Sequence, residues 1–175
     1  YSLGLAQEYL PAALEQARVV IGEVNPAIPW THGGVHLQAR DFALLIDAEH
    51  PPLEQGRAAP GPVEQAIARH VAALIEDGAT LQLGIGNLPE AVLAALHGHR
   101  DLGLHSGAVG DGIAALAEAG VLTNAKKSVD TGVGIGGILM GSEKVRRWAH
   151  RNPQFALRGT NYTHDPEVLA ASHQL

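Results

Sequence analysis

The chain has 175 residues, 46% of them hydrophobic and only 17% charged, enough to fold and bury a core, and with 4% aromatics that core is built from Ala, Val, Leu and Ile. A formal net charge of -6 with no basic block argues against nucleic acid or an anionic membrane surface as the partner. Without cysteine there is no disulfide framework or thiolate metal site, and no apolar run approaches the roughly 18 residues a membrane span needs.

Taken in chain order, Gln7 to Gln16 carries Leu10, Ala13 and Leu14 at helical spacing. Val19-Val20-Ile21, running into Gly22-Glu23-Val24-Asn25-Pro26, reads as a buried strand leaving a sheet. A Pro/Gly loop over 26–34 precedes a second candidate strand at Ala43 to Ile46, stopped by Pro51-Pro52. The segment 54–62, poor in apolar side chains, is the best linker, so the chain divides into 1–58 and 59–175. A start at Tyr1 rather than Met suggests a piece of something longer.

After the linker the pattern becomes regular. From Pro62 a helix carries Val63, Ile67, Val71, Leu74 and Ile75 on one stripe, with Gly78 as its C-terminal cap. Thr80 to Ile85 reads as a strand, and Pro89 opens a helix whose face is Val92, Leu93 and Leu96, ended by Gly98. Leu102 to His105 is a strand, and Asp111 caps a helix burying Ile113 and Leu116. A strand over Val133 to Leu139 precedes a helix capped by Ser142, and Asp165-Pro166 starts the last helix. Such alternation predicts an α/β fold, an open and mostly parallel sheet with helices on both faces.

Three glycine-bearing segments follow strands. Gly84-Ile85-Gly86-Asn87-Leu88-Pro89 is either a ligand-approach loop at a helix N-terminus or a tight turn that needs glycine. It is not a dinucleotide fingerprint, because position 89 is Pro, and Gly136 to Ser142 is not a P-loop, because Ser142 stands where lysine is required. His105 to Gly112 lies just past a strand, and Ser106 is in no nucleophile elbow, since Leu104 replaces the first glycine. Five glycines between Gly132 and Gly141 imply close approach of a backbone or ligand, or a crowded helix contact. His32/His36 and His97/His99 lack a completing carboxylate at known spacing, so no metal site is expected.

On these residues the sequence resembles the acetyl-CoA hydrolase/transferase family, of the 4-hydroxybutyrate CoA-transferase type. The resemblance rests on Glu76 to Gly86, Leu88 to Leu93, Asp101 to Ser106, Asp111-Gly112, Glu118 to Asn124, Leu139-Met140-Gly141 and Asn152-Pro153, with Glu23-Val24-Asn25 upstream. It implies the end of an N-terminal domain (1–58) and the first part of a second similar domain (59–175). It also implies a cytoplasmic transferase or hydrolase and homo-oligomer, acting on an acyl-CoA thioester and a small carboxylic acid, with no cofactor beyond CoA as substrate. By resemblance Gly84, Ile85, Gly86 and Pro89 shape the thioester end, with Met140 and Gly141 along the acyl-CoA channel. Family enzymes attack the thioester with a glutamate that follows the His-Ser pair, a position held here by Gly107. Glu23, Asp111 or a residue elsewhere could then supply the carboxylate, or water could replace it. The alternative is a non-catalytic acyl-CoA-binding or assembly subunit.

Overall fold

The computed structural model describes residues 1–54, 59–173 and 175. The linker core at 55–58, with the boundary drawn at 58, therefore lies outside the described residues. In chain order the elements are α1 (Leu10–Gln16), β1 (Ile21–Val24), β2 (Leu44–Asp47), α2 (Pro62–Ala72), β3 (Thr80–Leu81), α3 (Asn87–Ala95) and β4 (Gly103–Val109), then α4 (Asp111–Glu118), β5 (Gly134–Leu139), α5 (Glu143–Ala149), β6 (Phe155–Leu157), α6 (Thr160–Thr163) and α7 (Pro166–Ala171). β1 and β2 form a parallel pair, and β3-β4-β5-β6 form a parallel sheet in sequence order. This is the α/β class expected from the alternation of elements.

The core lies between the four-stranded sheet and its connecting helices. Leu96, Leu102, Leu104, Ile113, Leu116, Val145, Phe155 and Leu157 are fully buried there. α3 contacts α4, α4 contacts α5, and α6 packs directly on β4 and β5. Ser142 and Asp165 cap α5 and α7 as expected, accepting N–H groups of the first turn.

The N-terminal segment completes the sheet where β6 stops. Leu139 N–H donates to Leu5 O at 2.7 Å and Gln7 N–H to Gly137 O at 3.0 Å, so residues 5–7 pair antiparallel with the end of β5. Glu8 bridges Gly159, and Thr160 N–H donates to Glu8 O. Glu8 itself takes φ +39°, a left-handed conformation uncommon for a residue with a side chain.

Several local expectations change. β1 begins at Ile21 rather than Val19 and is not buried: Ile21, Leu44 and Ile46 all stand half exposed on the two-stranded sheet. α2 ends at Ala72, short of Gly78, and buries Ala68 and Ala72, leaving Val63 and Leu74 exposed. It packs on α3, and Val71 and Ile75 of the expected stripe are partly buried against the same core as Ala68 and Ala72. β3 is only two residues long, and β4 runs on through Ser106, Gly107 and Ala108, which sit in the strand and not beyond it. Asp111 occupies the first turn of α4 with Gly110 as N-cap, and its carboxylate turns to α5, accepting Ser142 N–H at 3.0 Å and Val145 N–H at 3.1 Å. α3 opens at Asn87, two residues ahead of Pro89, and β6 and α6 have no counterpart in the sequence reading.

Candidate functional site

The C-terminal ends of β3, β4 and β5 open into a cavity of about 610 Å³. Gly84 and Ile85 reach it from the β3–α3 connection, Gly107 and Ala108 from β4, and Ile138 and Met140 from the end of β5. Ser106 fixes the first edge. Its Oγ accepts Leu83 N–H at 3.1 Å and lies 2.8 Å from Ala108 O and 3.2 Å from Leu83 O, so the hydroxyl ties Leu83 to β4 and has a backbone carbonyl for its one proton. It is a clamp and not a nucleophile. Gly86 takes φ +135°, which only glycine adopts freely, and this turn sends the chain into α3.

Of the residues singled out by resemblance, Gly84, Ile85 and Met140 line this cavity together with Gly107. Pro89 lies in the first turn of α3 and lines an adjoining cavity that Gly84 shares. Gly141 sits elsewhere: a Cβ on it would lie 2.8 Å from Asp111 Oδ1, so its glycine admits the Asp111 carboxylate to α5.

Sequence reasoning assigned no polar side chain to the cavity, yet Glu8 and His164 line it, along with Tyr9 and Gln82. Thr160 Oγ1–H donates to Glu8 Oε2 at 3.0 Å, and a Cβ on Gly137 would lie 2.4 Å from Glu8 Oε1. His164 follows α6; its ring lies over Gly107, with Nδ1 2.9 Å from Thr163 Oγ1. Neither belongs to a motif, and the signal that would have found them is the glycine opposite each. Glu23, by contrast, lines a separate apolar cavity beside α1 and meets His50 at 3.6 Å, while Asp111 is engaged with α5. Neither carboxylate lines the cavity at Gly107.

A polar cluster surrounds His105, two residues before Gly107 on β4. Burial, and then the Lys127 charge, hold the His105 imidazole below its ordinary pKa, outweighing Asp130 and the backbone of Tyr162 and Thr163. Burial also pulls the Lys127 ammonium down to about 8, against the opposing pull of Asp130. Lys127 Nζ donates to Val133 O at 2.6 Å. Tyr162 donates to Asp130 at 2.7 Å, and burial followed by that bond raises its phenol.

The paired histidines serve packing. His32 and His36 flank the Trp30 ring at 4.7 and 4.9 Å, and His99 Nε2 lies within bonding distance of Ala72 O and Ile75 O. Among the described residues no group of three His, Asp or Glu side chains could hold a metal ion, and no helix is long and apolar enough to cross a membrane.

No family model matches the chain. Individual proteins do. The chain is 40% identical over 168 residues to the 4-hydroxybutyrate coenzyme A transferase of Clostridium kluyveri, covering 96% of this chain and 39% of that protein. It is 30% identical over 169 residues to the succinyl-CoA:cyclohexane-1-carboxylate CoA transferase of Geobacter metallireducens, covering 97% and 39%. Among solved structures, a 4-hydroxybutyrate CoA-transferase from Porphyromonas gingivalis superposes with a TM-score of 0.91 at 33% identity, over 99% of this chain and 44% of that one. RipA from Yersinia pestis superposes with a TM-score of 0.95 at 29% identity, over 99% and 40%. The chain thus spans about two fifths of the length of the curated relatives it matches, and along nearly all of its own length it is homologous to them. None of these curated relatives is named as a non-catalytic binding subunit.

Proposed function

We propose, taking the chain as part of a CoA transferase related to the 4-hydroxybutyrate enzymes, that it builds the acyl-CoA end of an active site moving CoA between an acyl-CoA thioester and a carboxylic acid. The observation that carries this is the convergence of Gly84, Ile85, Gly107 and Met140, from the ends of different strands, on one cavity. Ligands of open parallel sheets bind at those ends.

The chemistry of the lining agrees. Ile85, Ile138 and Met140 offer apolar surface to an acyl chain, and the glycines let its carbonyl approach the backbone. Gly86 and Pro89 set the turn into α3, whose first N–H groups suit an oxyanion. Gly107 takes the position of the family's attacking glutamate, so the carboxylate chemistry of the relatives does not start from this strand. In the same reading residues 1–58 end one domain, 59–175 begin another, and the protein works in the cytoplasm.

Filling the cavity tests the assignment. In the intact protein, Ile85→Trp should weaken acetyl-CoA binding about tenfold or more, a change of about 1.4 kcal/mol, as measured by equilibrium dialysis. Unchanged affinity in the folded variant refutes the location.

A further inference from the structure

We propose that His164 is the general base of an acyl-CoA hydrolysis carried out in this cavity, and that the glycine at position 107 is what admits its ring. The inference rests on the assignment of the cavity to acyl-CoA.

Steric exclusion is the first observation. A Cβ built on Gly107 would lie 2.6 Å from His164 Cε1 and 3.0 Å from Nε2, closer than side chains pack. The imidazole therefore fills the volume that any side chain at 107 needs. One cavity edge can hold a side chain from β4 or the ring of His164, not both.

The second observation is the anchoring of the ring. Thr163 is fully buried, and its Oγ1 reaches the Gly159 carbonyl at 3.5 Å and His164 Nδ1 at 2.9 Å. A hydroxyl has one proton. In the tautomer we assign, that proton goes to Gly159 O and the oxygen accepts Nδ1–H, which leaves the free lone pair of the neutral ring on Nε2. Nε2 is one of the two ring atoms nearest Gly107. His164 N–H donates to Thr160 O at 3.0 Å, which fixes the backbone that carries the ring. Glu8 lines the same cavity, its carboxylate held by Thr160 Oγ1.

The reaction balances with water alone. Nε2 takes a proton from water as the oxygen bonds to the thioester carbonyl carbon. The tetrahedral intermediate then collapses with cleavage of the C–S bond, and the sulfur leaves with the proton returned by the imidazolium. One water is consumed, and a carboxylic acid and the CoA thiol are formed, with no change of oxidation state.

The intact protein with acetyl-CoA as probe decides it. Wild type should release thiol with no acceptor acid present and place one solvent ¹⁸O in the acetate. His164→Asn keeps an amide for Thr163 but has no base, and should lower kcat by roughly 10²–10⁴ while the affinity for acetyl-CoA, measured by equilibrium dialysis, stays unchanged. His164→Ala, checked for native circular dichroism, should regain turnover with added imidazole, which a packing role would not give. The proposal is overturned if His164→Asn hydrolyses at the wild-type rate, if wild type binds acetyl-CoA without releasing thiol, or if hydroxylamine traps an acyl adduct on Glu8. A wild type that does not bind acetyl-CoA at all removes the site assignment and this inference with it.

Discussion

Adding a single methyl group at position 107 isolates the steric claim from any chemistry. Two opposed effects are expected from Gly107→Ala. Replacing glycine inside a strand removes backbone entropy from the unfolded chain and stabilises by about 0.5–1 kcal/mol. Against this, the new Cβ meets the His164 ring at 2.6 and 3.0 Å, where 3.4 Å or more is ordinary contact. The ring is the far end of an exposed side chain, so it rotates away and forfeits the 2.9 Å contact with Thr163, at a cost of about 1 kcal/mol for the lost bond and about as much again for an off-rotamer ring or residual crowding. Gly107→Ala should therefore destabilise the wild type by about 1 kcal/mol and stabilise His164→Ala by about 0.5–1 kcal/mol, a coupling near 2 kcal/mol and within the range seen for contacting residues. Urea unfolding of the four proteins reads the coupling directly. Equal shifts in both backgrounds would show that the ring does not occupy this space.

Other expectations follow from the same neighbourhood. Gly107→Glu alone must displace the ring, whereas Gly107→Glu with His164→Ala has room for the carboxylate; the double variant should exchange labelled acetate into acetyl-CoA about tenfold faster, the equivalent of about 1.4 kcal/mol, and parity would count against the placement of residue 107. Asp111→Ala strips the acceptor from Ser142 N–H and Val145 N–H and should lower stability by about 2–3 kcal/mol in urea unfolding, and a loss below 0.5 kcal/mol would mean α5 is capped otherwise. Lys127 has a folded pKa of about 8, below the ordinary 10.5, so its neutral form is favoured by folding: stability gained by that neutrality is complete above 10.5 and is lost as pH falls through 8. Wild type should therefore gain stability from pH 8 to 10 relative to Lys127→Met, and parallel profiles would mean the ammonium is not desolvated.

Local chemistry made much of the fold legible. Ser142 and Asp165 announce helices because a cap acts within one turn, and Leu102 to His105 announces a strand because a buried parallel strand is continuously apolar. What failed was non-local. The branched stripe of α2 looks like an interior face, yet only Val71 and Ile75 of it pack partly buried on the core, Val63, Ile67 and Leu74 are exposed, and Ala68 and Ala72 are the residues buried. β6 is three residues, and its burial depends on β5 beside it rather than on any pattern of its own. Asp111 follows a strand and precedes a helix, the position of a cap, but its carboxylate serves the next helix because Gly141 leaves it the space.

The site was half legible for a related reason. Its glycines show in the sequence, while the groups that use their empty faces come from elsewhere in the chain. Glycine inside β5 is costly in isolation, and at Gly137 the cost is explained on both sides: a Cβ there would stand 2.4 Å from Glu8 Oε1 and 2.7 Å from Gly107 O. Gly107 in turn leaves room for His164. The strands carry glycines at the cavity, and Glu8 and His164 reach it from flanking segments, one through the strained backbone at the end of the N-terminal segment paired with β5 and one through the end of α6. Strain of that kind persists only where the surroundings over-determine it, and here the bonds from Gln7 to Gly137 and from Thr160 to Glu8 hold residue 8 from both neighbours. A cavity assembled in this way can change its chemistry by exchanging which segment fills the vacant face, without altering the sheet that frames it.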